Sequence, residues 1–301
     1  MNALVKQALW KSLPRGWAVN WLFAVPYFHR YHRRFPRSLR SPQAGLEDYI
    51  FHRMIRPFSD FEARCVDKET AKEEALRLAP GLKAAPTQAV MALGPQTKLK
   101  DVENFLAPFW GKAFVAKATH GSGKHLFLDE AQGHPAAPAL ELLINARKNY
   151  FFKRFESQYK SLAPKLLVEE SLGRPSPPDF RFFASRGTVF FCQYDEGGQP
   201  GHPQAFFAVP DHALIPLRTA CPLPDPLPPK PAHWEALLAA AAQLSKPFDF
   251  VRVDLYDRPD GVYFGEFTFT PNASSLVFKD PAFSRQWLSR LLAGLAETEN
   301  L

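Results

Sequence analysis

The sequence predicts a mixed helix and strand protein, of the α+β or α/β class, on three observations. Short apolar runs with strand composition are more numerous than a helical bundle would contain, they are interspersed with helix-forming segments, and no internal repeat organises them. At 301 residues, with 46% hydrophobic and 22% charged residues, the chain has enough apolar material for a substantial core in one large domain or two to three small ones.

Taken in order, residues 1–46 form a basic, aromatic arm. They contain Lys6, Lys11, Arg15, Arg30, Arg33, Arg34, Arg37 and Arg40 and no acid. Of 37 Lys and Arg in the chain, removing these eight leaves 29 against 30 Asp and Glu, so the formal charge of +7 resides in this arm. A neutral body argues against a nucleic-acid partner. Trp10, Trp17, Trp21, Phe23, Tyr27 and Phe28 add aromatic surface, a combination that suits anionic lipid or an acidic polymer. The apolar stretch 16–28 is too short and too interrupted to span a bilayer, and no small-residue cleavage site follows it. An acid-free, arginine-rich start also fits an organellar transit peptide, against which its few serines count. A basic helix packed on its own domain explains the arm equally well.

Residues 47–80 are rich in helix formers, and Asp67 suits an N-cap for the segment KETAKEEALRLA. Short elements broken by prolines fill 86–110, followed by a strand from Ala113 and a second, HLFL. One aromatic-rich helix is expected over 138–160, a strand over 164–172, and a hairpin from DFRFFAS and TVFFCQY around Arg186-Gly187. Ten prolines in 200–231 predict an irregular connector. An alanine-rich helix over 232–245 and an amphipathic helix over 281–298 flank a last hairpin, 248–274. Cys65, Cys192 and Cys221 are odd in number and far apart, which points to a reducing compartment without a disulfide framework or zinc site.

That last hairpin carries carboxylates inside two apolar runs. Val251, Val253 and Leu255 alternate with Arg252, Asp254 and Tyr256, and Phe267 and Phe269 alternate with Glu266, Thr268 and Thr270. A three-residue loop at Pro259-Asp260-Gly261 would pair Arg258 with Val262, Asp254 with Glu266 and Arg252 with Thr268. Two facing carboxylates call for a cation, and Mg²⁺ accepts one or two carboxylates with water and phosphate oxygens. Neutralisation by Arg252 on a solvated face is the plainer alternative. Upstream, Lys117 on a strand leads into Gly121-Ser122-Gly123, whose N–H groups can approach phosphate. Glu169 and Glu170 are adjacent and so face opposite ways; the inward one suits an adenosine or an ion pair. Asp179 and Arg181 share a strand face, where a mutual ion network or a phosphate contact is equally possible.

This series resembles the ATP-grasp superfamily, and within it the TupA-like ATP-grasp proteins of bacterial surface-polymer gene clusters. The resemblance spans about 30–280 and rests on VDK at 66–68, KATHGSG at 117–123, the KNY…ESQY segment at 148–159, PKLLVEESL, PPDFRFF at 177–183, FDFVRVDLY at 248–256 and GEFTFTPNA at 265–273. It implies an α+β ATP-grasp fold in which two subdomains clamp the nucleotide, behind a helical N-terminal region. The implied division is an arm at 1–46, a preceding region at 47–110, a subdomain with the glycine-rich loop at 111–168 and a C-terminal subdomain with the Mg-binding hairpin at 169–301. It further implies ATP and Mg²⁺: Lys117, Gly121, Ser122 and Gly123 at the phosphates, Glu169, Glu170 and Leu172 at the adenosine, and Asp254 and Glu266 at the metal. Lys68, Asp179 and Arg181 are further nucleotide-side candidates. Many relatives place an asparagine where this chain has Thr268, so Thr268, Asn272 or water completes the metal shell. The implied activity is a cytoplasmic, ATP-dependent carboxylate–amine ligase working through an acyl phosphate, with Lys117 and Arg252 as catalytic groups. Its substrate would be a surface polysaccharide or its precursor, lipid-linked or polymeric, with peripheral membrane contact through 1–46. Phosphoryl transfer to a sugar hydroxyl and a non-catalytic nucleotide-binding assembly role are the alternatives.

Overall fold

A computed structural model describes residues 16–121, 125–129, 136–173, 176–197, 201–217 and 219–299. Its helices are α1 (Trp17–His32), α2 (Leu46–Ile55), α3 (Asp60–Val66), α4 (Thr70–Leu78), α5 (Leu99–Leu106), α6 (Ala136–Ala146), α7 (Phe151–Arg154), α8 (Trp234–Ser245) and α9 (Pro281–Glu299). Two sheets stand beside them. The larger has seven strands in the order β1 (Lys83–Ala84), β11 (Gly261–Thr268), β10 (Val251–Arg258), β6 (Asp179–Ser185), β7 (Thr188–Asp195), β8 (Gln204–Ala208) and β9 (Leu214–Ile215). It is antiparallel except for β1 beside β11. The smaller is antiparallel, in the order β2 (Thr87–Ala92), β5 (Lys165–Glu170), β3 (Phe114–Ala118) and β4 (His125–Phe127).

Each sheet buries the apolar half of its alternation under helices. On the small sheet Ala116, Leu166 and Val168 pack beneath Val102 and Leu106 of α5 and Ala139, Leu142 and Leu143 of α6. On the large sheet Phe182, Cys192, Val251 and Val253 meet Trp234, Leu237 and Ala241 of α8. The other face is covered over part of its length, where Phe183, Phe191, Phe206 and Phe250 pack on Ile50 of α2 and on Trp287 and Leu291 of α9. The uncovered remainder of that face is polar.

The predicted hairpins and terminal helices form where the sequence puts them. Arg186 and Gly187 both have positive φ, which closes a tight turn between Ser185 and Thr188. Asp67 ends α3 and precedes the N-cap of α4, Glu69, by two residues, yet it satisfies the turn between them: Oδ1 accepts from Glu69 N at 3.0 Å and its carbonyl from Ala71 N at 2.8 Å. Three expectations are corrected. The single helix over 138–160 is broken into α6, α7 and a 3-10 turn at Ser157–Tyr159. Asn149 Oδ1 accepts from Phe151 N and restarts the chain direction, and Phe155 turns into the left-handed region at φ 64°. The connector at 200–231 contributes β8 and β9, because the apolar run QAFFA pairs along β7.

The third correction concerns the last hairpin. Arg258 pairs with Gly261 rather than Val262, leaving Pro259-Asp260 as a two-residue connection. The register then shifts between Asp254 and Leu255, where Gly265 is the extra residue of a bulge. The two differences cancel, so Asp254 still faces Glu266 and Arg252 still faces Thr268. Gly265 permits this close approach, since a Cβ there would lie 2.9 Å from the Asp254 carbonyl oxygen.

Candidate functional site

The uncovered polar faces of the two sheets line one cleft. Two adjoining cavities of about 140 and 210 Å³ share Lys72, Lys117, His125, Glu169, Tyr256, Phe264 and Gly265. Strand alternation explains the lining: Ala116 and Val168 go into the core, so Val115, Lys117 and Glu169 face the cleft. The large sheet contributes Asp179, Arg181, Asp254, Tyr256 and Glu266.

On the small-sheet wall, Glu169 is the inward member of the glutamate pair, and Lys117 and Lys72 both bond to its carboxylate. Burial opposes ionisation of Glu169, but the two ammonium groups outweigh it and hold the carboxyl below its usual range. Burial lowers Lys72 below the ordinary lysine range, as it does Lys68. Glu170 faces outward and accepts from Gln88 Nε2 at 2.9 Å, at the rim of the apolar end. Leu172 lies at that end too, where its carbonyl accepts from Arg258.

On the large-sheet wall, Arg252 donates from Nε and Nη2 to the two oxygens of Asp254 at 2.7 and 2.5 Å. The same Nη2 reaches Thr268 Oγ1 at 3.1 Å and Glu266 Oε1 at 3.4 Å, and Thr268 donates to Glu266 at 3.2 Å. Arg181 is held by Asp195 and by Asp179 at 2.7 Å, with Nε 3.5 Å from Asp254. Burial, with Glu266 nearby, pushes the Asp254 carboxyl up to about 7 against the pull of Arg252 and Arg181. Burial acts the same way on Glu266, yet Lys68, Arg252 and Arg181 outweigh it and hold that carboxyl low. Lys68 ties the walls together. It donates from Nζ to the Gly121 carbonyl at 2.6 Å and stands 3.9 Å from Glu266 Oε2.

The structure therefore brings together Lys68, Lys117, Gly121, Glu169, Glu170, Leu172, Asp179, Arg181, Asp254 and Glu266 around the cleft, with Arg252 and Thr268 against the two carboxylates. Asn272 stands apart from the lining residues, exposed in the 3-10 turn Pro271–Ser274. Ser122 and Gly123 lie outside the described residues. Sequence reading missed Lys72 and Tyr256. Both carried a signal: Lys72 is four residues after Lys68 on one helical face, and Tyr256 is two after Asp254 on one strand face.

A family model, TupA-like ATP-grasp, matches residues 61–289, most of the chain and all of this cleft. The chain belongs to the TupA-like ATP-grasp family. No match is found among curated proteins. Among solved structures, this ATP-grasp protein is similar to the ATP-grasp ligase PsnB complexed with a minimal precursor, at 10% identity and a TM-score of 0.39, over 78% of this chain and 62% of that one. It is also similar to D-alanine–D-alanine ligase from Bacillus anthracis, at 15% identity and 0.38, over 78% and 67%. VanG D-Ala:D-Ser ligase from Enterococcus faecalis matches at 13% and 0.44, over 76% and 61%. The chain spans about three fifths to two thirds of the length of these structures.

Proposed function

We propose that this TupA-like ATP-grasp protein is an ATP-dependent carboxylate–amine ligase that modifies a bacterial surface polysaccharide or its precursor. One observation carries the reading: a single cleft sets three lysines, Lys68, Lys72 and Lys117, across from the paired carboxylates Asp254 and Glu266. Lysines supply point charge for phosphate oxygens, and paired carboxylates supply hard oxygen ligands. The apolar end, with Ala85, Val115, Phe127, Leu172 and Tyr256, suits an adenine ring.

The donor set fits Mg²⁺. Asp254, Glu266 and Thr268 offer oxygen only, and the Glu266 side chain is 38% exposed toward the cleft. When bound, Mg²⁺ neutralises phosphate charge. Asn272, exposed apart from the cleft lining, falls outside this donor set.

In this reading the substrate carboxylate attacks the γ-phosphorus, the bond to the bridging oxygen breaks, and ADP leaves. Lys117 and Lys68 take up the charge that develops on the phosphate oxygens. The amine then attacks the acyl carbon, the bond to phosphate breaks, and the amine's proton leaves on the released phosphate. Arg252, buried against Asp254 and Glu266, positions those two carboxylates and does not itself line the cleft. Arg181, held by Asp179, braces Asp254 from the next strand, Glu169 positions Lys72 and Lys117 for the phosphates, and Glu170 and Leu172 lie at the adenosine end. The protein would act in the cytoplasm on a lipid-linked or polymeric saccharide at the inner membrane face.

Product analysis tests the reading. Incubated with ATP, Mg²⁺ and a panel of uronic acids and amino acids, the protein should release ADP and free phosphate only when an acid and an amine are both present. Phosphate retained on a sugar would instead mark a kinase, and nucleotide binding without turnover would mark an assembly role.

A further inference from the structure

We infer that the outward side of α1 is a docking surface for an anionic lipid bilayer. The inward side of this helix is seated on the body. Ala24 and Phe28 are fully buried, Phe28 packs edge-on against Phe51, Asn20 Nδ2 donates to the Ile55 carbonyl at 2.7 Å, and Lys160 donates to Asn20 at 2.6 Å. On the opposite side Leu22 is 61% exposed, and Phe35 just beyond the helix is 66% exposed, whereas Trp17 and Trp21 continue the Phe28 side toward the helix start.

Leu22, Pro26, Arg30 and Arg33 are exposed at spacings of four, four and three, which is one stripe along the side opposite Phe28. No acid interrupts it: the first acidic residue of the chain is Glu47. Arg34 is already committed to Glu47 and Asp48, whereas Arg30, Arg33 and Arg40 are exposed. Leucine and phenylalanine enter the acyl boundary, and guanidinium groups meet lipid phosphates. The rest of the chain is close to neutral, so attraction to an anionic surface would be directed through this side. Among the described residues no helix is long and apolar enough to cross a membrane, so the contact is peripheral. This surface stands apart from the cleft, and the inference holds whatever reaction the cleft performs.

Vesicle flotation of the full chain tests it, using phosphatidylcholine alone and phosphatidylcholine mixed with phosphatidylglycerol. The protein should float only with the anionic vesicles and sink as salt rises. Arg30→Gln and Arg33→Gln should each weaken binding about fivefold, and Leu22→Ser with Phe35→Ser should weaken it further, all with unchanged circular dichroism and thermal unfolding. A chain lacking residues 1–15 should still float. Failure of the intact chain to float, equal flotation with neutral vesicles, flotation indifferent to all four substitutions, complete loss in the shortened chain, or a dimer that protects these residues in place of vesicle binding would each overturn the inference.

Discussion

On the small-sheet wall of the cleft one carboxylate, Glu169, is held by two lysines, whereas on the large-sheet wall Asp254 is held by two arginines. The charges are similar in number but not in freedom. Arg252 binds through a planar fork and its side chain is 5% exposed, while Lys117 is a flexible point charge that is 24% exposed. The arginine wall is thus built before any ligand arrives. The lysine wall keeps ammonium protons on its cleft side for an incoming anion while Lys72 and Lys117 stay paired with Glu169. Substitutions should accordingly reach stability on one wall and binding on the other.

The largest effect is expected at Arg252. Arg252→Ala leaves Asp254 and its neighbours as uncompensated buried charge, and should lose about 3–5 kcal/mol in denaturant unfolding. A loss below about 1 kcal/mol would mean that the arginine wall is no more structural than a surface pair. Glu156 sharpens the same contrast. It is buried beside the large-sheet wall, accepts from Thr270 Oγ1, and burial pushes its carboxyl up from 4.5 to about 7. A carboxyl raised in the folded state costs nothing below pH 4.5, and the cost grows until the pH passes about 7. Wild type should therefore fall relative to Glu156→Gln by on the order of 3 kcal/mol between pH 4 and 8. Parallel stability curves would remove the effect. Smallest is Lys117→Ala, which should unfold within about 1 kcal/mol of wild type because Lys72 still pairs with Glu169. Its ATP affinity should nevertheless drop by about 1.5–3 kcal/mol, read by calorimetry.

The arginine wall was legible in the sequence because period-two alternation alone sorts Arg252, Asp254, Glu266 and Thr268 onto one face. Even so, the register came out right only because a shorter turn and the Gly265 bulge offset one another. Nothing local announces a bulge, since a glycine between Phe264 and Glu266 reads as an ordinary strand residue until its carbonyl neighbour is seen. The lysine wall was half legible. Lys117 and Glu169 lie on strands whose facing sides are predictable, but Lys72 enters from a helix whose distance to Glu169 depends on tertiary packing. The break of the 138–160 segment was hidden for a similar reason. Its aromatic residues support helix and core equally, and the left-handed turn at Phe155 is set by the packing of Phe151, Phe155 and Phe28 into one cluster.

The central claim, that the two walls meet across a metal nucleotide, is tested most directly by calorimetric titration of ADP with and without Mg²⁺ into wild type, Lys117→Ala and Glu266→Gln. The account predicts binding that tightens with Mg²⁺ in wild type, weaker binding that keeps its Mg²⁺ dependence in Lys117→Ala, and binding that loses it in Glu266→Gln. Binding that ignores Mg²⁺ in wild type, or no binding at millimolar nucleotide, would contradict it.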